Sequence, residues 1–109
     1  MRVASYILYL IPICFFGQSA DEYRLQGNEL VKQKKYIDAK ISYEISKKLN
    51  PFNWELYMDI GWMHYKNKNY QDAITEYESG KKLAPDKDRF YISLGECYLE
   101  IGENNKAIL

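Results

Sequence analysis

Apolar and polar residues follow one another along the chain with the period of an α-helix. In residues 54–66 the apolar and aromatic positions fall close to i, i+3, i+4 and i+7, the spacing that places side chains on one helix face. A polar break follows at 67–69, and the same spacing resumes over residues 70–83. Pro85 then ends the second segment, because proline lacks an amide hydrogen and clashes with the preceding turn. The pattern predicts a helix–turn–helix unit.

This unit recurs at an interval of 34 residues. Positions of several residue types share the interval, namely Gly27, Gly61 and Gly95; Tyr23, Tyr57 and Tyr91; Ala39, Ala73 and Ala107; Tyr36 and Tyr70; Tyr43 and Tyr77; Pro51 and Pro85. A fixed period of this length is typical of stacked modules and not of a globular catalytic core. We expect five full helices, over residues 21–33, 36–49, 54–66, 70–83 and 88–101, and a sixth that begins at Asn104.

The repeated glycines predict close packing between the two helices of a unit. A glycine inside a helix costs about 1 kcal/mol relative to alanine, so its recurrence at Gly27, Gly61 and Gly95 needs a structural reason. We expect two helix backbones to approach each other there, with Ala39 and Ala73 on the opposite helix and the repeated tyrosines filling the surrounding space.

These residues resemble the tetratricopeptide repeat, which combines aromatic, small and proline positions in this order. The first unit, 20–53, departs where Gln26 replaces the usual leucine, and the second, 54–87, departs where His64 replaces a tyrosine. The third unit, 88–109, is truncated. The resemblance implies an all-α fold in which two full repeats and one truncated repeat stack as a right-handed superhelix.

Residues 1–19 lie outside the repeat and have the three-part layout of a secretory signal peptide. Arg2 precedes an uncharged run over residues 3–16. The small residues Ser19 and Gly17 stand at positions −1 and −3 of a cleavage site before Ala20. The run of about 14 residues is shorter than the ~20 that span a bilayer. We expect an exported protein, in the periplasm, in the envelope or secreted. A retained membrane anchor and a lipid-modified Cys14 are the alternatives.

The rest of the chain carries little of the chemistry that enzymes or metal sites require. His64 is the only histidine and occupies a packing position, and no second histidine or cysteine is spaced to complete a metal site. Cys97 would be the single cysteine after removal of the leader, so we expect it to be buried and unpaired. Acidic and basic residues nearly balance, which gives no electrostatic signal for nucleic acid. We predict no catalysis, metal, cofactor or nucleic-acid binding.

The resemblance also implies a binding surface on the concave face of the superhelix, lined by fixed positions of each first helix. The corresponding residues are Arg24, Asn28 and Lys32 in the first unit, Met58, Trp62, Tyr65 and Lys66 in the second, and Arg89 in the third. Aromatic and arginine side chains are frequent anchors of recognition, so an aromatic patch flanked by cations is expected. The alternative is that Trp62 and Tyr65 only pack against the neighbouring repeat.

Some members of the family hold the C-terminal carboxylate of a peptide with basic and amide side chains. Arg24, Asn28 and Arg89 match three of those positions in kind, whereas Asp59 replaces an asparagine and Ser93 replaces a basic residue. Because an acid would repel the carboxylate, we do not expect this activity.

The resemblance implies an exported, non-catalytic scaffold or adaptor that binds a protein or an extended peptide segment. One alternative is an N-terminal regulatory or sensor segment of a larger signalling or envelope protein, such as a sensor kinase. A helical repeat that binds RNA is a second alternative, which the period of 34, the prolines and the balanced charge disfavour.

The third unit ends six residues into the helix predicted from Asn104. Without the rest of that helix we expect Tyr91, Leu94 and Tyr98 to lack cover, which marks an interface. A helix this short is unstable alone, so we expect it to fray. Self-association through the third unit, or a longer natural chain, would supply the cover.

Overall fold

Five α-helices form the part of the protein that its computed structural model describes, residues 18–105, and this part contains no strand. The helices are α1 (Ala20–Lys32), α2 (Tyr36–Leu49), α3 (Trp54–Lys66), α4 (Tyr70–Leu83) and α5 (Asp88–Asn105). The predicted bounds of α2, α3 and α4 are confirmed, and α1 lies one residue earlier than predicted. The predicted leader before Gln18 lies outside the described part. So do Ala107 and the last residues of the chain, which were predicted to fray.

The helices pack as hairpins that stack on one another, which confirms the predicted all-α repeat fold. The helix α1 packs on α2 and α3 packs on α4, while α5 packs on α4. The first helix of the second unit, α3, also contacts both helices of the first unit. None of the helices within residues 18–105 has the length and apolar content that crossing a membrane requires.

The turns inside the first two units depend on one residue with left-handed backbone. Lys34 has φ of 62° and Lys68 has φ of 63°, a conformation that commonly ends a helix. The residue 34 positions after Lys68 is Gly102, which would adopt this conformation at lower cost. In the structure α5 instead runs through Gly102 to Asn105. The prediction of a new helix from Asn104 is therefore wrong, since α5 is continuous through this position.

The hydrophobic core lies mainly between successive units. Three residues of α3, Leu56, Ile60 and Met63, pack in one cluster with residues of the first unit. Their counterparts in α5, 34 positions later, pack in a second cluster with α4 and are Phe90, Leu94 and Cys97. Leu94 is buried in this cluster, so the prediction that it lacks cover is wrong. Burial of Cys97 is confirmed.

The first helix has no such apolar row. The positions of α1 that correspond to the inter-unit contacts of α3 and α5 hold Glu22, Gln26 and Glu29, and all three are exposed. The departure at Gln26 is therefore part of a polar face. Such a face is typical of a terminal repeat that ends a stack in water.

The glycines of the first two units make room for tyrosine rings. A Cβ at Gly27 would lie 2.6 Å from Cδ1 of Tyr43, and a Cβ at Gly61 would lie 2.6 Å from Cδ1 of Tyr77. Both rings are buried. The predicted close contact is present, but its partner is a ring and not a helix backbone. At Gly95 a Cβ would meet nothing within 4 Å among the described residues, so this contact is absent from the described part of the third unit.

The predicted packing positions of the repeats fall into three groups by the exposure of their side chains. Buried are Tyr23, Gly27, Ala39, Tyr43, Gly61, Ala73 and Tyr77; Tyr57 is half-buried; Pro51, Pro85, Tyr91 and Gly95 are exposed. The tyrosine that follows each proline closes the joint between units. Tyr57 donates to the Pro51 carbonyl over 2.7 Å and Tyr91 donates to the Pro85 carbonyl over 3.2 Å.

Candidate functional site

The first helices of the three units, α1, α3 and α5, line one open groove of about 520 Å³. Its walls also include Tyr77 from α4. Six of the eight predicted binding residues line it, namely Asn28, Lys32, Met58, Trp62, Tyr65 and Arg89, whereas Arg24 and Lys66 do not. Six further side chains line the groove, namely Leu25, Glu29, Asp59, Tyr77, Ser93 and Glu96. That this groove binds a ligand stays a prediction.

Trp62 is the aromatic side chain of the groove that is free to meet a partner. It is 37% exposed and belongs to neither buried cluster. Lys66 lies outside the groove lining, and its Nζ stands 5.6 Å from the centroid of the Trp62 ring. This cation–π contact places the Lys66 ammonium over one face of the ring, and the Trp62 side chain stays partly exposed.

Tyr65 and Met58 have structural roles that the sequence reasoning did not assign to them. Tyr65 packs against the core cluster of the second and third units, and its hydroxyl donates to Glu100 over 3.4 Å. Burial and the charge of Glu100 raise the pKa of Tyr65. Met58 is buried in the same cluster. Tyr65 and Met58 thus pack between the second and third units and also line the groove, so their role in binding stays a prediction.

Arg24 is held by acidic side chains of its own chain. Its Nη1 lies 2.7 Å from Oδ2 of Asp59, and its Nε donates to Oδ1 of Asp21 over 2.9 Å. The Arg24 side chain is only 12% exposed. Burial alone would lower the pKa of Arg24, but the hydrogen bonds and charges of Asp59 and Asp21 outweigh it and raise that pKa. Asp21 and Asp59 together thus engage all three guanidinium nitrogens of Arg24, and Arg24 does not line the groove.

Asn28 belongs to the same network. Its Nδ2 donates to Oδ2 of Asp59 over 3.0 Å, and its Oδ1 accepts from the Tyr43 hydroxyl over 2.6 Å. Burial, followed by the charge of Asp59, raises the pKa of Tyr43. Asp59 thus accepts hydrogen bonds from both Arg24 and Asn28, the two side chains that would otherwise hold a carboxylate. The structure gives a physical reason for not expecting a carboxylate clamp.

Comparisons with known proteins agree with this architecture. The sequence profile described as tetratricopeptide repeat matches residues 55–87, which is the second unit without its first residue. Residues 55–87 therefore match a tetratricopeptide repeat. No curated protein matches the chain.

Solved structures of MamA share the fold. A structure of MamA AMB-1 is 18% identical, with a TM-score of 0.67 over 84% of this chain and 50% of that one. A point mutant of MamA is 17% identical, with a TM-score of 0.68 over 88% of this chain and 53% of that one. The chain therefore spans about half the length of these structures. The tetratricopeptide-repeat fold is that of a protein-interaction scaffold.

The two ends of the groove differ in polarity. In the first unit the network of Arg24, Asn28 and Asp59 makes the wall polar. The equivalent positions one repeat later are Met58, Trp62 and Ser93, and there Ser93 contacts the sulfur of Met58 over 3.9 Å. The wall thus changes from a closed ionic network to an apolar and aromatic surface along the stack.

The charged side chains at the groove rim have mixed signs. Lys32 and Arg89 are exposed, and so are Glu29 and Glu96. Lys32 Nζ stands 4.0 Å from Oε1 of Glu29, a distance at which an exposed ion pair contributes little. The rim therefore offers both donors and acceptors to a neutral or mixed-charge segment.

The other titratable groups of interest lie away from this groove. His64 is half-buried, and burial lowers its pKa in spite of the charges of Asp72 and Glu76. Within residues 18–105 no group of three or more His, Cys, Asp or Glu side chains is placed to hold a metal ion.

Proposed function

We propose that this protein is a non-catalytic scaffold that binds an extended protein segment in the groove between α1, α3 and α5, with Trp62 as its anchor. The observation that supports the proposal is the exposed Trp62 ring, set in a groove of about 520 Å³ whose lining also includes the exposed Leu25 and charged residues of both signs. An aromatic side chain in a concave site with a polar rim is the arrangement that recognition hot spots favour.

The hydrogen-bond network around Asp59 indicates which part of a partner chain the groove can bind. Because Arg24 and Asn28 donate to Asp59, neither is available for a terminal carboxylate. The groove should therefore bind the interior of an extended segment. Its mixed rim charges favour a segment without strong net charge.

A peptide library provides the test. Phage-displayed random dodecapeptides are selected on the purified chain, and the selected peptides are synthesised with free and with amidated C-termini. Trp62→Ala should weaken binding at least about tenfold, or about 1.4 kcal/mol, by isothermal titration calorimetry. Amidation should leave the affinity unchanged.

Phe52→Ala is the matched control, since this aromatic residue is exposed and does not line the groove. Peptides that bind Trp62→Ala as tightly as the parent would refute the proposed anchor. A Trp62→Ala variant that loses its helical circular dichroism along with binding would show that Trp62 is a core residue.

We also propose export, on the strength of the signal-peptide layout of residues 1–19. The cut suggested before Ala20 would remove Ser19, which caps α1: Ser19 Oγ accepts from the Glu22 amide over 3.1 Å, and the Ser19 amide donates to Glu22 Oε1 over 2.8 Å. A cut that keeps Ser19 would preserve this capping box. Mass spectrometry of the chain expressed with its own leader gives the mature N-terminus, and a protein that stays inside the cell at full length would count against export.

A further inference from the structure

The groove wall built by α1 and α3 combines exposed apolar side chains with one carboxylate. Leu25, Asp59 and Trp62 all line the groove. Leu25 and Trp62 are exposed, and Asp59 is half-buried. Asp59 and Trp62 are three residues apart on α3, so their side chains are neighbours on one side of the helix. A ligand side chain that contacts the Trp62 ring therefore also reaches Asp59.

The Asp59 carboxylate accepts both of its hydrogen bonds from α1 at the same oxygen. Nη1 of Arg24 and Nδ2 of Asn28 donate to Oδ2, over 2.7 Å and 3.0 Å. The second oxygen, Oδ1, receives neither of these hydrogen bonds. The Asp59 side chain stays 21% exposed and faces the groove, so Oδ1 can accept a hydrogen bond from a ligand there.

The charges around Asp59 favour a cationic donor over a neutral one. Three carboxylates surround the guanidinium of Arg24, with oxygens of Asp59, Asp21 and Glu55 at 2.7 Å, 2.8 Å and 3.7 Å from its nitrogens. These four side chains together carry two more negative charges than positive ones. A cation that reaches Oδ1 from the groove would thus be attracted, and an anion would be repelled.

We propose that the segment bound in the groove places a lysine or arginine side chain beside Trp62, and that the cationic head of this side chain donates to Oδ1 of Asp59. Its aliphatic stem would lie on Leu25 and on the Trp62 ring, since long basic side chains cover apolar surface while their charge stays at a polar site. One basic residue is compatible with a segment of low net charge. This inference rests on the proposed function and names the side chain that the groove selects.

Synthetic variants of the peptides selected by phage display test the proposal by isothermal titration calorimetry. Peptides that need Trp62 should share a lysine or arginine at one position. Replacing this residue by norleucine keeps an aliphatic stem and removes the charge, and should weaken binding at least about tenfold. Acetylation of the peptide N-terminus should leave the affinity unchanged, because the proposed cation is a side chain.

Asp59→Asn removes the charge of the proposed acceptor. On this variant the basic peptide and its norleucine form should bind with equal affinity, because the lysine or arginine has lost its charged partner. Glu55→Gln is the matched control, since it removes a carboxylate 3.7 Å from Arg24 that does not line the groove. The Glu55→Gln variant should still bind the basic peptide more tightly than the norleucine form.

The outcomes separate this inference from the proposed function. Peptides that lose affinity on Trp62→Ala but share no basic residue overturn the inference and leave the proposed groove intact. Peptides that bind Trp62→Ala as tightly as the parent overturn the proposed function, and the inference falls with it. A parent chain that binds the basic and norleucine peptides equally overturns the inference, and this comparison decides alone if Asp59→Asn loses its helical circular dichroism. Equal loss of discrimination in Glu55→Gln and Asp59→Asn overturns the direct contact with Oδ1.

Discussion

Replacing Gly61 by alanine tests whether the tyrosine-over-glycine contact holds the second unit together. The added methyl group would lie 2.6 Å from Cδ1 of Tyr77, a separation that packed carbon atoms do not adopt. The ring cannot swing away easily, because Tyr77 is buried in the cluster that joins α4 to α5. Either the ring must leave its rotamer or α3 must move away from α4.

Two opposing effects determine the result. Alanine improves helix propensity by about 1 kcal/mol relative to glycine. Overpacking a closed site costs about 1–3 kcal/mol. Gly95→Ala gains the same propensity with no atom within 4 Å of its methyl group, so it should be stabilising. The difference between the two variants then isolates the packing cost, and Gly61→Ala should be less stable than Gly95→Ala by about 1–3 kcal/mol.

Urea denaturation followed by circular dichroism at 222 nm measures both variants. Equal slopes with shifted midpoints identify a change in stability. Should Gly61→Ala gain as much stability as Gly95→Ala, Tyr77 would not occupy the space over Gly61 and the packing argument would be wrong.

Two further predictions concern groups whose environment the structure defines. Asp59→Ala leaves the largely buried Arg24 without its closest acceptor. It should lower the unfolding free energy by about 1.5–3 kcal/mol in the same urea assay. An unchanged midpoint would show that the network is not formed. Burial raises the pKa of the Cys97 thiol to about 11, so it should stay protonated at pH 8 and react with Ellman's reagent about 100-fold more slowly than free cysteine until urea unfolds the chain. Rapid labelling without denaturant would contradict the buried position of Cys97.

The helices of the first two units were predictable from the sequence because several local signals agree there. The apolar period, the polar break before Tyr70 and the stop at Pro85 all mark the bounds that α3 and α4 have in the structure. The end of the third unit was not predictable in this way. Gly102 is compatible with a left-handed turn and with a helix, so the choice depends on whether another helix packs back onto α5. Periodicity does not supply that information.

The candidate groove was predictable in position but not in which of its side chains are free. The repeat pattern places Arg24 and Trp62 on the same wall, yet Arg24 is paired and Trp62 is exposed. What separates them is Asp59, which belongs to the next unit and is distant in sequence from Arg24. Reasoning within one repeat treats each unit alone and therefore overlooks a neighbour of this kind.

The repeat pattern alone does not give the contact register between units, which is the sequence separation of side chains that contact each other across two successive units. The structure shows this register in three places. Arg24 contacts Asp59, Met58 contacts Ser93 and Tyr65 contacts Glu100, and each pair is separated by 35 residues, one more than the repeat period. Successive first helices therefore meet with an offset of one position. A residue on the groove wall is therefore available to a ligand only when neither the residue 35 positions later nor the one 31 positions later engages it, as Asp59 engages Asn28. Applied to the sequence, this register pairs Arg24 with an acid and so identifies Arg24 as a structural cation, which the repeat pattern alone assigns to binding.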